Sequence, residues 1–126
     1  MSIELLFPEL SYEIVNCAFK VHNKLGGGLP EKSYQKALTV EFTDRKMIFS
    51  EQIFSNTEYN SRKLHRNYSD FLLEEKIIVE LKSENRIVRA DFKQIKKDLK
   101  ATDKKLGLLL NFGPDKLTFE RVLNLY

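Results

Sequence analysis

The segment from Asp70 to Ser83, DFLLEEKIIVELKS, constrains the fold most because it places charges inside an apolar run. Its second half is rich in β-branched and aliphatic residues, which is typical of a buried strand. Glu80 and Lys82 interrupt this run, and burying an unpaired charge costs considerable free energy. The fold must therefore supply partners for these two side chains.

A hairpin in this segment predicts where the charged groups lie. If the chain turns through residues 74–76, Asp70 lies directly opposite Glu80 on antiparallel strands, whereas a two-residue turn would shift this pairing by one. Because side chains alternate along a strand, Glu80 and Lys82 point to the same face. Two facing carboxylates repel unless a cation lies between them, and their oxygens suit Mg²⁺. A nearby lysine can activate a water or stabilise charge on a phosphate.

A simpler interpretation stays open at this point. Glu80 and Lys82 form an ion pair on a half-exposed strand, and Asp70 belongs to an exposed turn. Because 31% of the residues are charged, an Asp upstream of Glu-x-Lys often arises by chance. The domain would then be structural and bind no metal.

Length and composition limit the class of protein. A chain of 126 residues with 42% hydrophobic content suits one compact domain, which we assign to residues 1–126. The longest apolar runs are too short to span a bilayer and no leader is evident, so we expect a soluble, cytoplasmic protein. Cys17 is the only cysteine and is expected to be a small buried hydrophobe. The net charge of +3 permits a nucleic-acid partner without requiring one.

Hydrophobic spacing predicts two helices in the N-terminal third. The first ends at the glycines of residues 26–28, and the second begins at Pro30, where a missing N–H costs nothing. The apolar face of the first helix comprises Ile14, Cys17, Ala18, Val21 and Leu25. That of the second comprises Tyr34, Ala37, Leu38 and Phe42.

The remaining chain predicts strands around a third helix. β-rich segments at residues 47–54, 63–73 and 76–83 form a meander with polar turns at 56–62 and 74–75. The helix runs from about Val88 to Lys104, and two strands follow at 106–112 and from Leu117. Its inward residues are Val88, Phe92, Ile95, Leu99 and Thr102. The predicted order is α-α-β-β-β-α-β-β, an α/β fold.

Three ordered motifs resemble a known family. The segment GLPEKSY, from Gly28 to Tyr34, is similar to the signature of the GxxExxY proteins within the PD-(D/E)xK nuclease superfamily. The preceding VHNKLGGG and the later YSDFLLEEKIIVELKS and QIKKDLKATDKKLGLLLNFG resemble family segments in the same order. The resemblance implies a restriction-endonuclease-like core with a mixed central β-sheet flanked by helices.

The resemblance also implies an activity. Asp70 and Glu80 correspond to the metal-binding acids, with the main-chain carbonyl of Leu81 as a further ligand and Lys82 as the catalytic lysine. The implied reaction is Mg²⁺-dependent hydrolysis of a nucleic-acid phosphodiester, expected to be in DNA, by a metal-activated water, with Mn²⁺ as a substitute ion. The alternative is a catalytically silent nucleic-acid-binding or assembly module with the same fold, and a homodimer is compatible with either.

Two further residues gain roles from the resemblance. Glu31 corresponds to a helix glutamate that faces the catalytic cleft, although the helix dipole alone would stabilise an acid in the first turn. Gln94 corresponds to the glutamine on the helix after the E-x-K strand. Related branches carry a tyrosine four residues later, where this chain has Asp98, so the role of that corner stays open. Tyr34 is expected to pack in the core with its hydroxyl bonded.

Five lysines of the third helix are candidates for nucleic-acid binding. They recur at three- and four-residue steps and are predicted to form one basic stripe, either a track for phosphates or a solvated face. Gln94 and Asp98 are predicted to lie on a different flank of the helix. The five are Lys93, Lys96, Lys97, Lys100 and Lys104.

Overall fold

The computed structural model describes residues 6–125, in which three helices surround a five-stranded sheet. The observed element order confirms the predicted α-α-β-β-β-α-β-β. The elements are α1 Pro8–Leu25, α2 Glu31–Asp44, β1 Phe49–Tyr59, β2 Arg62–Leu73, β3 Ile77–Lys82, α3 Arg89–Thr102, β4 Leu106–Phe112 and β5 Leu117–Leu123.

The strands lie side by side in chain order from β1 to β5. Neighbouring strands are antiparallel except β3 and β4, which run parallel from Ile77↔Leu106 to Lys82↔Asn111. A parallel pair needs a crossover connection, and α3 provides it. The sheet is therefore mixed, as predicted.

Helices cover both faces of the sheet. The first face packs against α1 and α2, and its sheet residues include Phe71, Leu73, Ile77, Val79, Leu81, Leu108 and Leu110. The second packs against α3 through Ile95 and Leu99, and its sheet residues include Leu72, Ile78, Leu109 and Val122. Because β3 and β4 are covered on both sides, each is apolar along nearly its whole length.

The hairpin between β1 and β2 is longer than the sequence predicted. The turn expected over residues 56–62 is wrong, because strand pairing continues to Tyr59↔Arg62. Only Asn60 and Ser61 make the turn, and both have positive φ angles, 51° and 64°. This outer part of the hairpin is mostly exposed, so its sequence lacks the apolar alternation that would have revealed the strands.

The third helix is shorter than predicted at both ends. It begins at Arg89, and Val88 is its N-cap residue, 41% exposed rather than inward-facing. It ends at Thr102 because Asp103 adopts the left-handed conformation, with φ 56°, that commonly terminates helices. Lys104 therefore lies outside the helix.

The turn between α1 and α2 packs directly on the turn between β4 and β5. A Cβ atom on Gly27 would collide with the backbone of Gly113 and Pro114, so only glycine fits there. His22 Nε2 lies 2.8 Å from the Gly113 carbonyl oxygen in a buried hydrogen bond. The two turns therefore hold each other in place.

Tyr34 and Cys17 are buried as predicted. The Tyr34 hydroxyl donates to the Gly26 carbonyl at 2.7 Å and accepts from the Leu29 N–H at 3.2 Å, while its ring stacks on Phe112 with 4.4 Å between centroids. Burial raises the pKa of the Cys17 thiol to about 11. Within residues 6–125, no helix has the length and apolar character needed to cross a membrane.

Candidate active site

Asp70 lies where β2 separates from β3. The strands pair through Leu73↔Ile77, Leu72↔Ile78 and Phe71↔Val79, which confirms the predicted three-residue turn. The ladder stops before the predicted pairing of Asp70 with Glu80. Instead, Asp70 Oδ2 accepts a hydrogen bond of 2.7 Å from the Leu81 N–H. The carboxylate thus takes the place of a main-chain acceptor.

Near Gln52 on β1 and Asp70 on β2, the side chains change the face of the sheet towards which they point. Phe71 packs on the α1–α2 side, and alternation would put Ser69 there too, yet Ser69 Oγ donates to Glu80 Oε2 at 3.5 Å. On β1, Gln52 has a φ of 53°, and Ile53 beyond it packs with the α3-side cluster. Because of this change, Ser69 points towards α3 although Phe71 points towards α1 and α2. Asp70 lies between them, where the change occurs.

Glu80 and Asp98 form a buried carboxyl pair. Each side chain is 2% exposed, and Glu80 Oε1 and Asp98 Oδ2 have no hydrogen-bond partner within residues 6–125. Burial, followed by the hydrogen bond and negative charge of Asp98, raises the pKa of Glu80 to about 10. Burial also raises the pKa of Asp98. Two buried carboxyl groups that share a hydrogen bond cannot readily both ionise without a cation.

Lys82 is held by α3. Its Nζ donates to Gln94 Oε1 at 3.3 Å and lies 3.7 Å from Asp91 Oδ1. Asp91 Oδ2 accepts from the Val88 N–H at 2.9 Å, so the same side chain also caps the helix. Lys82 therefore points towards α3 with a fixed direction.

The simpler ion-pair interpretation is wrong in its two structural expectations. Asp70 is 6% exposed and lies within β2, not in an exposed turn. Glu80 is buried, and Lys82 forms its ion pair with Asp91. The charges of the E-x-K strand thus find their partners on α3.

Asp70 is close enough to Glu31 for its charge to affect the glutamate. Burial raises the pKa of Asp70, while the Leu81 N–H and Lys82 oppose the shift. Partial desolvation, followed by the charge of Asp70, raises the pKa of Glu31 at the start of α2. The Ser83 hydroxyl donates to the Leu29 carbonyl at 3.1 Å, which ties the segment before Glu31 to the end of β3.

A cleft of about 440 Å³ opens beside the cluster between β2 and α3. Tyr68 is one of its lining residues, and burial followed by the charge of Asp70 raises the pKa of Tyr68. Three of its lining residues, Arg66, Lys93 and Lys97, carry positive charge. The full lining comprises His65, Arg66, Asn67, Tyr68, Ala90, Lys93, Gln94, Lys97 and Asp98.

Four of the five predicted lysines lie on α3, and all four are exposed. Lys93 and Lys97 line the cleft together with Gln94 and Asp98, and both lysines are exposed whereas Asp98 is buried. Lys96, Lys97 and Lys100 line a neighbouring hollow near residues 123–125. Lys104 lies beyond the helix and donates to the Glu75 carbonyl at 3.0 Å.

Sequence reasoning missed Asp91, Asp98 and Tyr68 as members of the site. A signal existed on α3, since Asp91 and Asp98 are seven residues apart and flank Ile95 on the helix face that packs on the sheet. Helical spacing alone could have placed both carboxylates inward. Their partners on β3 could not be identified without the tertiary packing.

The described residues offer only a few oxygen ligands for Mg²⁺. Between residues 6 and 125, no group of three His, Cys, Asp or Glu side chains is arranged to hold a metal ion. Mg²⁺ commonly needs only one or two carboxylates and keeps several waters. The unpartnered oxygen of Glu80 is a donor of the required kind.

Two solved structures have a similar fold. "Crystal structure of SSO0001" is 15% identical with a TM-score of 0.59, and the match covers 74% of this chain and 49% of that one, so this chain spans about half its length. An alkaline exonuclease, LHK-Exo from Laribacter hongkongensis, is 8% identical with a TM-score of 0.52, and covers 90% and 82% of the respective chains. These likenesses confirm the predicted restriction-endonuclease-like fold.

The family comparison covers nearly the whole chain. No curated protein matches the sequence significantly. Residues 8–122, however, match the family model described as the PD-(D/E)XK nuclease superfamily. The match includes both the E-x-K strand and the helices that surround it. The chain therefore belongs to the PD-(D/E)XK nuclease superfamily.

Proposed function

We propose that this protein is a Mg²⁺-dependent nuclease that hydrolyses phosphodiester bonds, with DNA as the expected substrate. The observation that carries the proposal is the buried group formed by Asp70, Glu80 and an oriented Lys82 beside a basic cleft. Buried titratable groups with strongly shifted pKa values are typical of catalytic sites. The positive lining of the cleft suits a phosphate backbone.

The proposed ligands of the ion are the side chains of Asp70 and Glu80 and the main-chain carbonyl of Leu81. A bound divalent ion would stabilise charge on a phosphate and lower the pKa of a water. Asp70 also receives the Leu81 N–H, so its carboxylate is fixed in direction before any ligand arrives. This preorganisation reduces the cost of ordering the site.

Lys82 is proposed to act on the phosphate or on the attacking water. Its ammonium group is held by Gln94 and Asp91, and its side chain is only 20% exposed. A fixed donor in a partly desolvated site stabilises developing negative charge better than a mobile one. Gln94 keeps this direction, and Glu31 is proposed to contact the water or substrate from the α2 side.

Within the superfamily we propose that the chain is a GxxExxY protein. The three residues of this motif have separate physical tasks. Gly28 adopts a φ of 87°, the charge of Asp70 affects Glu31, and the Tyr34 hydroxyl fixes the loop through Gly26 and Leu29. The motif would then serve to hold Glu31 beside the proposed site.

The second candidate function is a catalytically silent nucleic-acid-binding module. It is favoured by one observation, that residues 6–125 contain no preformed arrangement of three metal-binding side chains. Such a module would use the basic cleft to hold nucleic acid without cleaving it. It would show no dependence on divalent ions.

Cleavage assays separate the two functions. The purified protein is incubated with single- and double-stranded DNA and RNA in Mg²⁺, Mn²⁺ or EDTA, beside Glu80→Gln and the matched surface variant Glu120→Gln. We expect cleavage by wild type and Glu120→Gln only with a divalent ion, and none by Glu80→Gln. Binding without cleavage under every condition would instead identify a silent module.

A further inference from the structure

The hairpin of β1 and β2 extends well beyond the strand that neighbours it. β3 pairs with β2 through residues 71–73, whereas β1 and β2 continue to pair out to Tyr59↔Arg62. We call residues 53–69 the hairpin arm. Ile53 packs with the cluster on the α3 side of the sheet, so its face of the arm lies towards α3. The opposite face of the arm points away from that helix.

This opposite face carries aromatic rings and a guanidinium group. Phe54 lies directly opposite Tyr68 on the neighbouring strand, and their ring centroids are 5.5 Å apart. The guanidinium carbon of Arg66 lies 3.9 Å from the centroid of the Phe54 ring. Phe54 is 52% exposed and Tyr68 is 37% exposed. We call these three side chains the aromatic face, and part of its ring surface is open to solvent.

Stabilisation of the hairpin alone does not account for the charge around these rings. A cross-strand aromatic pair does support the pairing of two strands. Residues 56–66, however, carry Arg62, Lys63 and Arg66 against a single acid, Glu58. Exposed rings among basic side chains are the combination that binds single-stranded nucleic acid, because bases stack on the rings while cations contact the phosphates.

The aromatic face lies beside the proposed site. Tyr68 precedes Asp70 by two residues on β2, a separation of about 7 Å along the strand. Arg66 and Tyr68 also line the basic cleft, together with Lys93 and Lys97. A nucleic-acid strand with a phosphate at Asp70 would therefore bring a neighbouring base to the Tyr68 ring.

We propose that the aromatic face stacks unpaired bases, so that the nucleic acid taken by this site is single-stranded. The inference rests on the proposed function, because it names the substrate class of the same site. In a duplex each base is already stacked and paired, and its flat face cannot reach Phe54 or Tyr68. Stacking accepts every base, so no strong sequence preference is expected.

A tryptophan reporter tests the stacking without requiring cleavage. The chain contains no tryptophan, so Phe54→Trp introduces the only indole. With EDTA present, we expect binding of an oligothymidylate to quench its fluorescence and a duplex of the same length to leave it unquenched. The control Tyr12→Trp places the indole on α1, at a side chain that is 72% exposed, and should show no quenching.

Leucine variants measure the contribution of each ring to affinity. Phe54→Leu and Tyr68→Leu keep an apolar side chain on the hairpin arm and remove the ring, so each should lower the affinity for oligothymidylate at least about fivefold. Tyr68→Phe keeps the ring and should bind like wild type. The affinity for the duplex should be unchanged in all three variants.

The remaining outcomes separate this inference from the proposed function. Unquenched Phe54→Trp with bound oligothymidylate, or leucine variants that bind it like wild type, would overturn the stacking and leave the nuclease proposal intact. Quenching by the duplex as well would overturn the restriction to single strands. Quenching in a protein that cleaves nothing with Mg²⁺ or Mn²⁺ supports the stacking and overturns the nuclease. Circular dichroism checks folding, and the Phe54→Trp result decides if a leucine variant is unfolded.

Discussion

Asp70 has two tasks that chemistry can separate. Its Oδ2 accepts from the Leu81 N–H and so closes the gap where the β2–β3 ladder ends. Its negative charge is a distinct property, proposed to bind the ion. Asparagine can still accept from Leu81 but carries no charge, so Asp70→Asn is the variant that retains the scaffold and removes the proposed ligand.

Lys82→Ala is expected to reduce cleavage at least about a hundredfold, because it removes a fixed donor for the transition state. Substrate binding should stay within a few-fold, since the basic cleft is unchanged. Cleavage rates and binding isotherms measure the two effects. The control Lys36→Ala removes an exposed lysine from α2 and should cleave like wild type.

The reverse pattern would contradict this role for Lys82. If Lys82→Ala lowers stability and leaves cleavage unchanged, its contacts with Asp91 and Gln94 serve the fold alone. Equal inactivity of wild type and variant with retained binding would favour the silent module.

Sequence patterns predicted some site residues and missed others for a physical reason. Asp70, Glu80 and Lys82 stand out because they interrupt apolar strands, where charge is unusual. Asp91 and Asp98 lie on a helix rich in charged residues, where two more acidic residues do not stand out as candidates for a site. Their helical spacing indicates an inward-facing position for both, but their partners on β3 follow from the packing of α3 on the sheet, which only the folded structure reveals.

At the scale of elements, α3 is both the crossover helix and one wall of the cleft. Its four lysines are all exposed, whereas the fifth lysine of the predicted stripe, Lys104, lies beyond its end. Lys93 lines the cleft beside the proposed site, Lys96 and Lys100 line the hollow beside the C-terminal residues, and Lys97 lines both. Substitutions at Lys96 and Lys100 therefore provide a comparison for substitutions that include the cleft residue Lys93.

Paired substitutions on α3 test the route of the nucleic acid. Lys93→Ala with Lys97→Ala should weaken binding of all sequences and reduce the slope of log affinity against log salt by about 1.4 to 1.8, since each phosphate contact contributes about 0.7 to 0.9. The matched pair Lys96→Ala with Lys100→Ala should change the slope less. Binding isotherms at several salt concentrations measure both.

If both double variants keep the wild-type slope of log affinity against log salt, the nucleic acid binds elsewhere on the surface. A larger effect from Lys96 and Lys100 would instead direct the nucleic acid across the hollow near residues 123–125. In every case metal binding should be unchanged, because none of these lysines is a proposed ligand.

At the scale of the whole molecule, the acidic cluster should make stability depend on metal. A ligand that binds only the folded state stabilises it by about 2.7 kcal/mol when its concentration is about 100 times Kd. We therefore expect Mn²⁺ to raise the Tm of the wild type. Glu80→Ala and Asp70→Asn should abolish the rise, as followed by thermal unfolding with and without EDTA.

Without metal, Glu80→Ala should be at least as stable as the metal-free wild type, because the substitution removes one buried carboxyl group from a repelling pair. A Tm that Mn²⁺ leaves unchanged in wild type and variants alike would exclude the proposed metal site. Glu120→Gln again serves as the control and should respond to Mn²⁺ like wild type.

The type and order of the helices and strands were easier to predict from the sequence than their ends and lengths. The change from helical to strand periodicity and the apolar run of β4 are strong local signals, so element type and order were confirmed. The ends of α3 and the length of the β1–β2 hairpin were not, because they depend on a left-handed cap at Asp103 and on exposed strands without a core face. The reversal at Gln52 and Asp70 has no local signature in the sequence.

The packing of Gly27 against Pro114 couples parts of the chain that are distant in sequence. The turn between β4 and β5 supports the turn at residues 26–28, and that turn precedes Glu31, which we propose to act at the site. A random-mutagenesis screen for lost activity should therefore recover changes at Gly113 and Pro114, far from any proposed catalytic group. In the screen, such changes would give the same loss of activity as active-site mutations, although their immediate effect is on the packing of the two turns.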